Sequence, residues 1–151
     1  MTAGMVTTII PVFNRHALLR EAVVSVLAQT HRPIEIIVVD DGSSDHTPEV
    51  AEALRQAHPG CIRVIQQANA GPGRTRQSGL ERARGEFIQF LDSDDILLPH
   101  KFAFQVAALR ASADAGIADG QSYKENHRMD PPRCSGPIRA TGIRQNPGIG
   151  S

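Results

Sequence analysis

The chain has 151 residues, enough for one domain with a buried core, and its 16 basic residues balance its 16 acidic residues. This balance gives no overall field that would recruit nucleic acid or an anionic membrane surface. No apolar run reaches the length of a membrane span, and the N-terminus lacks the basic-then-apolar pattern of a signal peptide. We therefore expect a cytoplasmic protein without a nucleic-acid partner, and peripheral association with the inner face of the membrane stays open.

Predicted strands and helices alternate over the first two thirds of the chain. Short apolar or β-branched runs predict strands at 6–10, 34–39, 62–65 and 87–91. Helical spacing of apolar residues predicts helices at 17–29, after 45, at 75–84 and at 99–111. This order implies right-handed crossovers and an α/β fold, with a mainly parallel sheet and helices on both faces.

The helices are expected to turn apolar residues towards the sheet. In chain order these are Leu19, Ala22, Val23, Val26 and Leu27, then Val50, Ala53, Leu54 and Ala57, then Leu80 and Ala83, and finally Phe102, Val106 and Leu109. The fourth strand, with four apolar residues among its five, is expected to be buried on both faces.

Loops with unusual chemistry follow the first, second and fourth strands, at 11–14, 40–45 and 92–95. The carboxyl ends of parallel strands meet at one edge of the sheet, and ligands bind outside that edge where the strand order reverses. We therefore expect a single crevice to collect all three loops.

The fourth strand ends in Asp92-Ser93-Asp94-Asp95. Because side chains alternate along a strand, Asp92 and Asp94 would point to the same side, about 6–7 Å apart if the backbone stays extended. Two carboxylates at that separation repel each other unless a cation lies between them, and Mg²⁺ and Mn²⁺ prefer oxygen ligands. The alternative is an acidic loop that caps the helix opened by Pro99.

Four segments in this order resemble the nucleotide-binding half of the family 2 glycosyltransferases, the inverting enzymes with a GT-A fold. They are Ile-Ile-Pro-Val-Phe-Asn at 9–14, Val-Val-Asp-Asp-Gly-Ser-Ser-Asp at 38–45, Asn-Ala-Gly-Pro-Gly at 69–73 with the residues through 86, and Phe-Leu-Asp-Ser-Asp-Asp at 90–95. The resemblance covers about 7–109 and implies a Rossmann-like GT-A fold. We expect a nucleotide-sugar-binding domain at 5–120 and an irregular or disordered tail at 121–151.

The resemblance also implies where the nucleotide binds. Residues matching Pro11, Val12 and Phe13 line the base and ribose pocket in the family. The carboxylate matching Asp40 accepts a hydrogen bond from the base, and the guanidinium matching Arg76 lies on the donor side near the nucleotide. Ser43, Ser44 and Asp45 are expected to form a turn and helix cap instead.

By the same resemblance, Asp92 and Asp94 match the D-x-D motif. Asp92 is expected to contact the ribose or the metal, and Asp94 to bind the Mg²⁺ or Mn²⁺ that bridges the diphosphate. Asp95 either supports these ligands or caps the next helix. The implied donor is a nucleotide diphosphate-sugar, with a UDP-sugar favoured, and the acceptor is a saccharide, lipid or protein.

The general base is not identifiable from the sequence, since Glu125 and Asp130 are the only acids after Asp119. Two hypotheses follow. Either the chain is a glycosyltransferase domain whose acceptor half is truncated and supplied by a partner or a longer chain, or it is a truncated, catalytically silent nucleotide- and metal-binding domain. A nucleotidyltransferase is disfavoured, because the loop at 11–14 lacks the expected glycines.

Overall fold

The computed structural model of the chain describes residues 1–112, 114–119 and 139–141. The chain divides into two compact units, residues 1–102 and residues 103–151. Within the described ranges, no helix is both long enough and apolar enough to cross a membrane.

The first unit contains four parallel strands in the order β3-β2-β1-β4. The strands are β1 (Thr2–Val12), β2 (Ile34–Asp40), β3 (Ile62–Gln66) and β4 (Gly85–Phe90). The helices are α1 (His16–Leu27), α2 (Thr47–Ala57), α3 (Pro72–Leu80) and α4 (Lys101–Ala111), the last of which continues into the second unit. The predicted α/β fold with a mainly parallel sheet is confirmed. The first strand is longer than predicted, because it begins at Thr2 and continues through Pro11 to Val12.

Helices cover both faces of the sheet, as predicted. The chain moves from β1 outward to β2 and β3, and then reverses to place β4 on the other side of β1. Right-handed connections therefore put α1 and α2 on one face and α3 on the other. The contacts agree, since α1 packs against α2, and α3 packs against β1 and β2.

The core lies around β2, whose seven residues are all buried. A strand covered on both faces needs a nearly continuous apolar run, which 34–39 supplies around Glu35. On the α3 side, Ile9, Ile37 and Val39 form a cluster that Ala83 also contacts. From α1, the side chains of Leu19, Ala22, Val23 and Val26 are buried as predicted, whereas Leu27 is only half-buried.

The buried faces of α2 and α3 differ from the prediction. In α2, the residues Thr47, Ala51 and Leu54 recur at helical spacing and are buried, while the predicted Ala53 and Ala57 are exposed. In α3, Thr75 and Gly79 are buried and the predicted Leu80 is exposed.

The reason in α3 is how closely the helix approaches the sheet. A Cβ added to Gly79 would lie 2.5 Å from a methyl carbon of Ile9, so only a residue without a side chain fits there. In α4, Phe102 and Val106 are buried as predicted, and Leu109 is half-buried.

The fourth strand is not buried on both faces, contrary to the prediction. Among the described residues it pairs only with β1 and is therefore an outer strand of the sheet. Its side chains alternate between half-buried and exposed, and Ile88 and Phe90 are 37% and 44% exposed. The apolar run alone could not distinguish a central strand from an outer strand with an apolar outward face.

In the second unit, β5 (Ile117–Asp119) pairs antiparallel with β6 (Arg139–Thr141). Three residues of the predicted irregular tail are paired in a strand. The rest of that tail, at 120–138 and 142–151, lies outside the described residues, and the domain boundary at 120 stays a prediction.

A buried carboxylate holds the start of β4 beside β1. The Glu35 side chain accepts hydrogen bonds from the Thr7 hydroxyl (2.8 Å) and the Arg84 backbone N–H (3.1 Å), and it pairs with the Arg63 guanidinium (3.1 Å). The Thr7 hydroxyl in turn accepts a hydrogen bond from the Gly85 N–H at 2.9 Å. A buried charge is tolerated only when it is paired and hydrogen-bonded. The same hydrogen bonds hold Arg84 and Gly85, where β4 begins, next to β1 and β2.

Replacement of Gly85 by alanine tests how tightly β4 must approach β1. A Cβ at this position would lie 2.7 Å from both the Met5 carbonyl oxygen and the Thr7 hydroxyl, and the carbonyl cannot move aside cheaply. We expect Gly85→Ala to lower the free energy of unfolding by about 1–3 kcal/mol, measured by urea denaturation. Gly73→Ala is the matched control, because no atom lies within 4 Å of its added Cβ. Equal stability of the two variants would contradict the close approach.

Candidate functional site

An open cleft of about 500 Å³ lies at the carboxyl ends of the adjacent strands β1 and β4. The strand order reverses at this pair, since β2 and β3 lie on one side of β1 and β4 on the other, and this is where parallel α/β sheets bind ligands. The cleft is lined by residues from all three predicted loops and from the start of α3. These are Pro11, Val12, Phe13, Arg15, Asp41, Asn69, Gly71, Pro72, Thr75, Arg76, Asp92, Ser93 and Asp94. The structure thus brings the three loops into one crevice, as the sequence predicted.

The loop after β1 is fastened to the loop after β2 through Asn14. Its side-chain oxygen accepts hydrogen bonds from the backbone N–H groups of Ser44 (2.8 Å) and Asp45 (3.3 Å). Asn14 has a φ of +50°, a left-handed conformation that asparagine tolerates better than most residues. The next residue, Arg15, donates its backbone N–H to the Thr47 hydroxyl at 3.1 Å. These bonds fix the backbone that carries Phe13 and Arg15 at the cleft.

The segment 43–45 forms the predicted turn before α2. The Asp45 carboxylate accepts a hydrogen bond from the Thr47 backbone N–H at 2.8 Å and lies 3.1 Å from the His16 ring. The Thr47 hydroxyl, opposed by partial burial and assisted by His16, lowers the pKa of Asp45 to about 2. Asp45 therefore serves the helix start and not the cleft.

The acid at the end of β2 is not among the residues that line the cleft. Asp40 is the last residue of β2, is 2% exposed, and accepts a hydrogen bond from the Ser43 N–H at 3.0 Å. It borders a separate cavity of about 350 Å³ and is not among the described residues that line the main cleft. Asp41 lines the main cleft instead, because successive residues of an extended chain point to opposite sides. Asp41, rather than the predicted Asp40, is therefore the acid that the structure places in the main cleft.

Asp41 is a buried acceptor held by the turn before α3. Its carboxylate accepts hydrogen bonds from the Gln67 side chain (2.9 Å) and from the backbone N–H groups of Ala70 (2.8 Å) and Gly71 (3.0 Å). Burial raises the pKa of Asp41, but these hydrogen bonds and that of Thr75 outweigh burial and lower the pKa below its ordinary value. Asp41 is therefore ionised at neutral pH.

The acidic segment after β4 is a turn, not an extended strand end. The Asp95 N–H donates to the Asp92 carbonyl at 3.0 Å, and carboxylate oxygens of Asp92, Asp94 and Asp95 all lie within 4.8 Å of one another. The prediction of an extended strand end is therefore wrong, whereas the prediction that Asp92 and Asp94 lie close together on one side agrees with the structure. Asp95 joins the cluster and does not cap α4, which begins only at Lys101. Burial, together with neighbouring Asp94 and Asp92, raises the pKa of Asp95.

Two guanidinium groups flank this turn. Arg15 donates to the Asp94 carboxylate at 3.0 Å, and Arg76, on α3, donates to the Asp92 carboxylate at 2.7 Å. Three carboxylates and two guanidinium groups leave one net negative charge at the turn. Three clustered carboxylates, all exposed, match the oxygen ligands that Mg²⁺ and Mn²⁺ take, so the residues present fit such an ion.

The fold and site define a Rossmann-like domain of the GT-A type, and comparison with known proteins agrees. The family model described as Glycosyl transferase family 2 matches residues 7–146, so the chain belongs to this family. It is 41% identical over 112 residues to an uncharacterized glycosyltransferase of Nostoc sp., alr2836, covering 74% of this chain and 35% of that protein. The chain thus spans about a third of the length of this relative.

Two solved structures are similar to the described fold. S. aureus TarS in complex with UDP-GlcNAc matches with a TM-score of 0.71 and 29% identity, over 83% of this chain and 36% of that chain. The mannosyltransferase PcManGT of Pyrobaculum calidifontis, in complex with GDP-Man and Mn²⁺, matches with a TM-score of 0.70 over 79% of this chain and 35% of that chain. At 23% identity, the second likeness concerns the fold alone.

Substitution of Asn14 separates its backbone role from its side-chain role. Both Asn14→Gly and Asn14→Ala remove the hydrogen bonds to the following loop, but only glycine adopts a positive φ without strain. We expect Asn14→Ala to lower the free energy of unfolding by about 1–2 kcal/mol more than Asn14→Gly, measured by urea denaturation. Equal losses would mean that the left-handed conformation at Asn14 carries no strain for alanine.

Proposed function

We propose that the cleft binds a nucleotide diphosphate-sugar together with Mg²⁺ or Mn²⁺, and that the chain is the donor-binding part of an inverting glycosyltransferase. The observation that carries this proposal is that one cleft, where the strand order reverses, unites an apolar strip, a buried ionised acceptor and an acidic turn. Family membership supports the reaction class. The UDP-GlcNAc held by TarS supports a UDP-sugar as the donor.

In this proposal the base and ribose lie on an apolar surface formed by Pro11, Val12 and Phe13. Phe13 borders the cleft with 47% of its surface exposed, which leaves an apolar ring for a planar base to cover. Asp41 takes the acceptor role first predicted for Asp40. Its carboxylate lines the cleft and would receive an N–H of the base, and its lowered pKa keeps it an acceptor at neutral pH.

The diphosphate would lie between the acidic turn and α3. Asp92 and Asp94 would hold the divalent cation, with Asp95 beside them. When bound, this cation supplies positive charge that stabilises the departing nucleoside diphosphate. Arg76 would add a second positive charge on the donor side, which is supported by its position at the cleft and by the contact of its guanidinium with the same turn.

The proposed reaction is a single displacement at the anomeric carbon of the donor sugar. An oxygen of the saccharide, lipid or protein acceptor forms a bond to that carbon, the bond to the diphosphate oxygen breaks, and the configuration inverts. The acceptor proton passes to a general base. Glu125 and Asp130 lie outside the described residues, so the roles assigned here are those of the donor side.

Calorimetric titration of UDP with Mn²⁺ or with EDTA tests the proposal. We expect binding that requires Mn²⁺ and that falls at least about 10-fold in Asp94→Asn, because the variant loses one carboxylate of the metal cluster. Glu21→Gln, at an exposed position of α1 outside the cleft lining, should bind as the wild type does.

Binding that is unchanged by EDTA, or equal in Asp94→Asn and Glu21→Gln, would contradict the metal role of the acidic turn. GDP and dTDP titrated under the same conditions test the base, since a UDP-sugar donor predicts the tightest binding for UDP. Release of UDP from a UDP-sugar in the presence of acceptors then distinguishes sugar transfer from nucleotide binding alone.

A further inference from the structure

We propose that Arg15 is an exchangeable counter-cation for the proposed metal site. It pairs with Asp94 when no divalent cation is bound, and it turns to the donor diphosphate when that carboxylate is taken by the cation. This inference rests on the proposed function and extends it to a residue that the sequence analysis did not single out.

The backbone of Arg15 is fixed while its side chain is not. Its N–H donates to the Thr47 hydroxyl at 3.1 Å, and its carbonyl accepts the Leu19 N–H at 3.0 Å, in the first turn of α1. The side chain is 49% exposed and reaches Asp94, whose side chain is 48% exposed. Because the arginine side chain is long and its backbone is fixed, the guanidinium can change partners without any movement of the loop that carries it.

The two arginines at the turn reach it from different elements and hold different carboxylates. Arg76 reaches Asp92 from α3, whereas Arg15 reaches Asp94 from the connection between β1 and α1. Both border the cleft. A ligand that takes the carboxylates therefore leaves two guanidinium groups beside the position proposed for the diphosphate.

Charge balance favours this exchange. A nucleoside diphosphate carries more negative charge than one divalent cation neutralises, and a guanidinium can make two parallel hydrogen bonds to phosphate oxygens. The pair between Arg15 and Asp94 is exposed, and such pairs are weak, so its loss costs little. Arg15 should thus weaken binding of the metal alone and strengthen binding of the metal together with the nucleotide.

The first experiment measures Mn²⁺ alone, by electron paramagnetic resonance of the free ion. Arg15→Gln frees Asp94, so we expect it to bind Mn²⁺ about 2–5-fold more tightly than the matched variant Arg20→Gln. Arg20 is exposed on α1 and does not line the cleft, so its variant removes the same charge from the same region. Equal Mn²⁺ affinities in the two variants would overturn the exchange.

The second experiment titrates UDP at saturating Mn²⁺, and here the expected sign is opposite. Arg15→Gln should bind UDP at least about 10-fold more weakly than Arg20→Gln, because a charged hydrogen bond to the diphosphate is lost. Arg15→Lys keeps the positive charge but not the planar guanidinium that makes two parallel hydrogen bonds, so it should recover part of the affinity for UDP. A variant damaged in folding would weaken both affinities, so only opposite changes support the proposal.

The two proposals fail differently. Wild-type protein that binds Mn²⁺ but no nucleoside diphosphate would contradict the proposed function, and with it the second half of this inference. Wild-type protein that binds UDP with Mn²⁺, while Arg15→Gln matches Arg20→Gln in both titrations, would overturn the role of Arg15 alone.

Discussion

The position of β4 directly beside β1 is the constraint on which the site depends. At the amino end of the sheet, the buried Glu35 carboxylate, the Thr7 hydroxyl and the Gly85 backbone hold the two strands in contact, and Gly85 leaves no space for a side chain. Because the strand order reverses after β3 to reach this position, the loops at the opposite ends of β1 and β4 lie side by side and line one cleft. The pairing at one end of the strands therefore creates the binding geometry at the other.

The site itself combines fixed backbone with exchangeable charge. Asn14 fastens the loop after β1, and Asp41 fastens the turn before α3 through three hydrogen bonds. Against these fixed edges, the acidic turn is held by two exposed ion pairs, from Arg15 and Arg76. Buried and hydrogen-bonded groups set the shape of the cleft, whereas the exposed ion pairs are weak, and in the proposed function a cation and a diphosphate would replace them.

Much of the fold could be predicted from sequence, because buried parallel strands and amphipathic helices leave strong periodic signals. The acids that follow the strands were likewise visible as a pattern. The predictions that differed from the structure depended on single-residue register or on close packing. Asp40 is still in β2, so Asp41 is the residue at the cleft. In α3, Gly79 is buried and the predicted Leu80 is exposed. The ion pair of Arg15 left no periodic signal, since its partner Asp94 is 79 positions away.

The measurement that tests the central claim most directly is paramagnetic broadening of backbone amide NMR signals by Mn²⁺ in the presence of UDP. The proposed site predicts that amides at 12–15, 73–76 and 92–95 lose intensity first, because these segments surround one cleft. Broadening should disappear when Mg²⁺ replaces Mn²⁺, while shifts at the same amides persist. Broadening centred on exposed acids elsewhere, such as Glu49 and Glu52 on α2, would contradict a metal-dependent nucleotide site at the ends of β1 and β4.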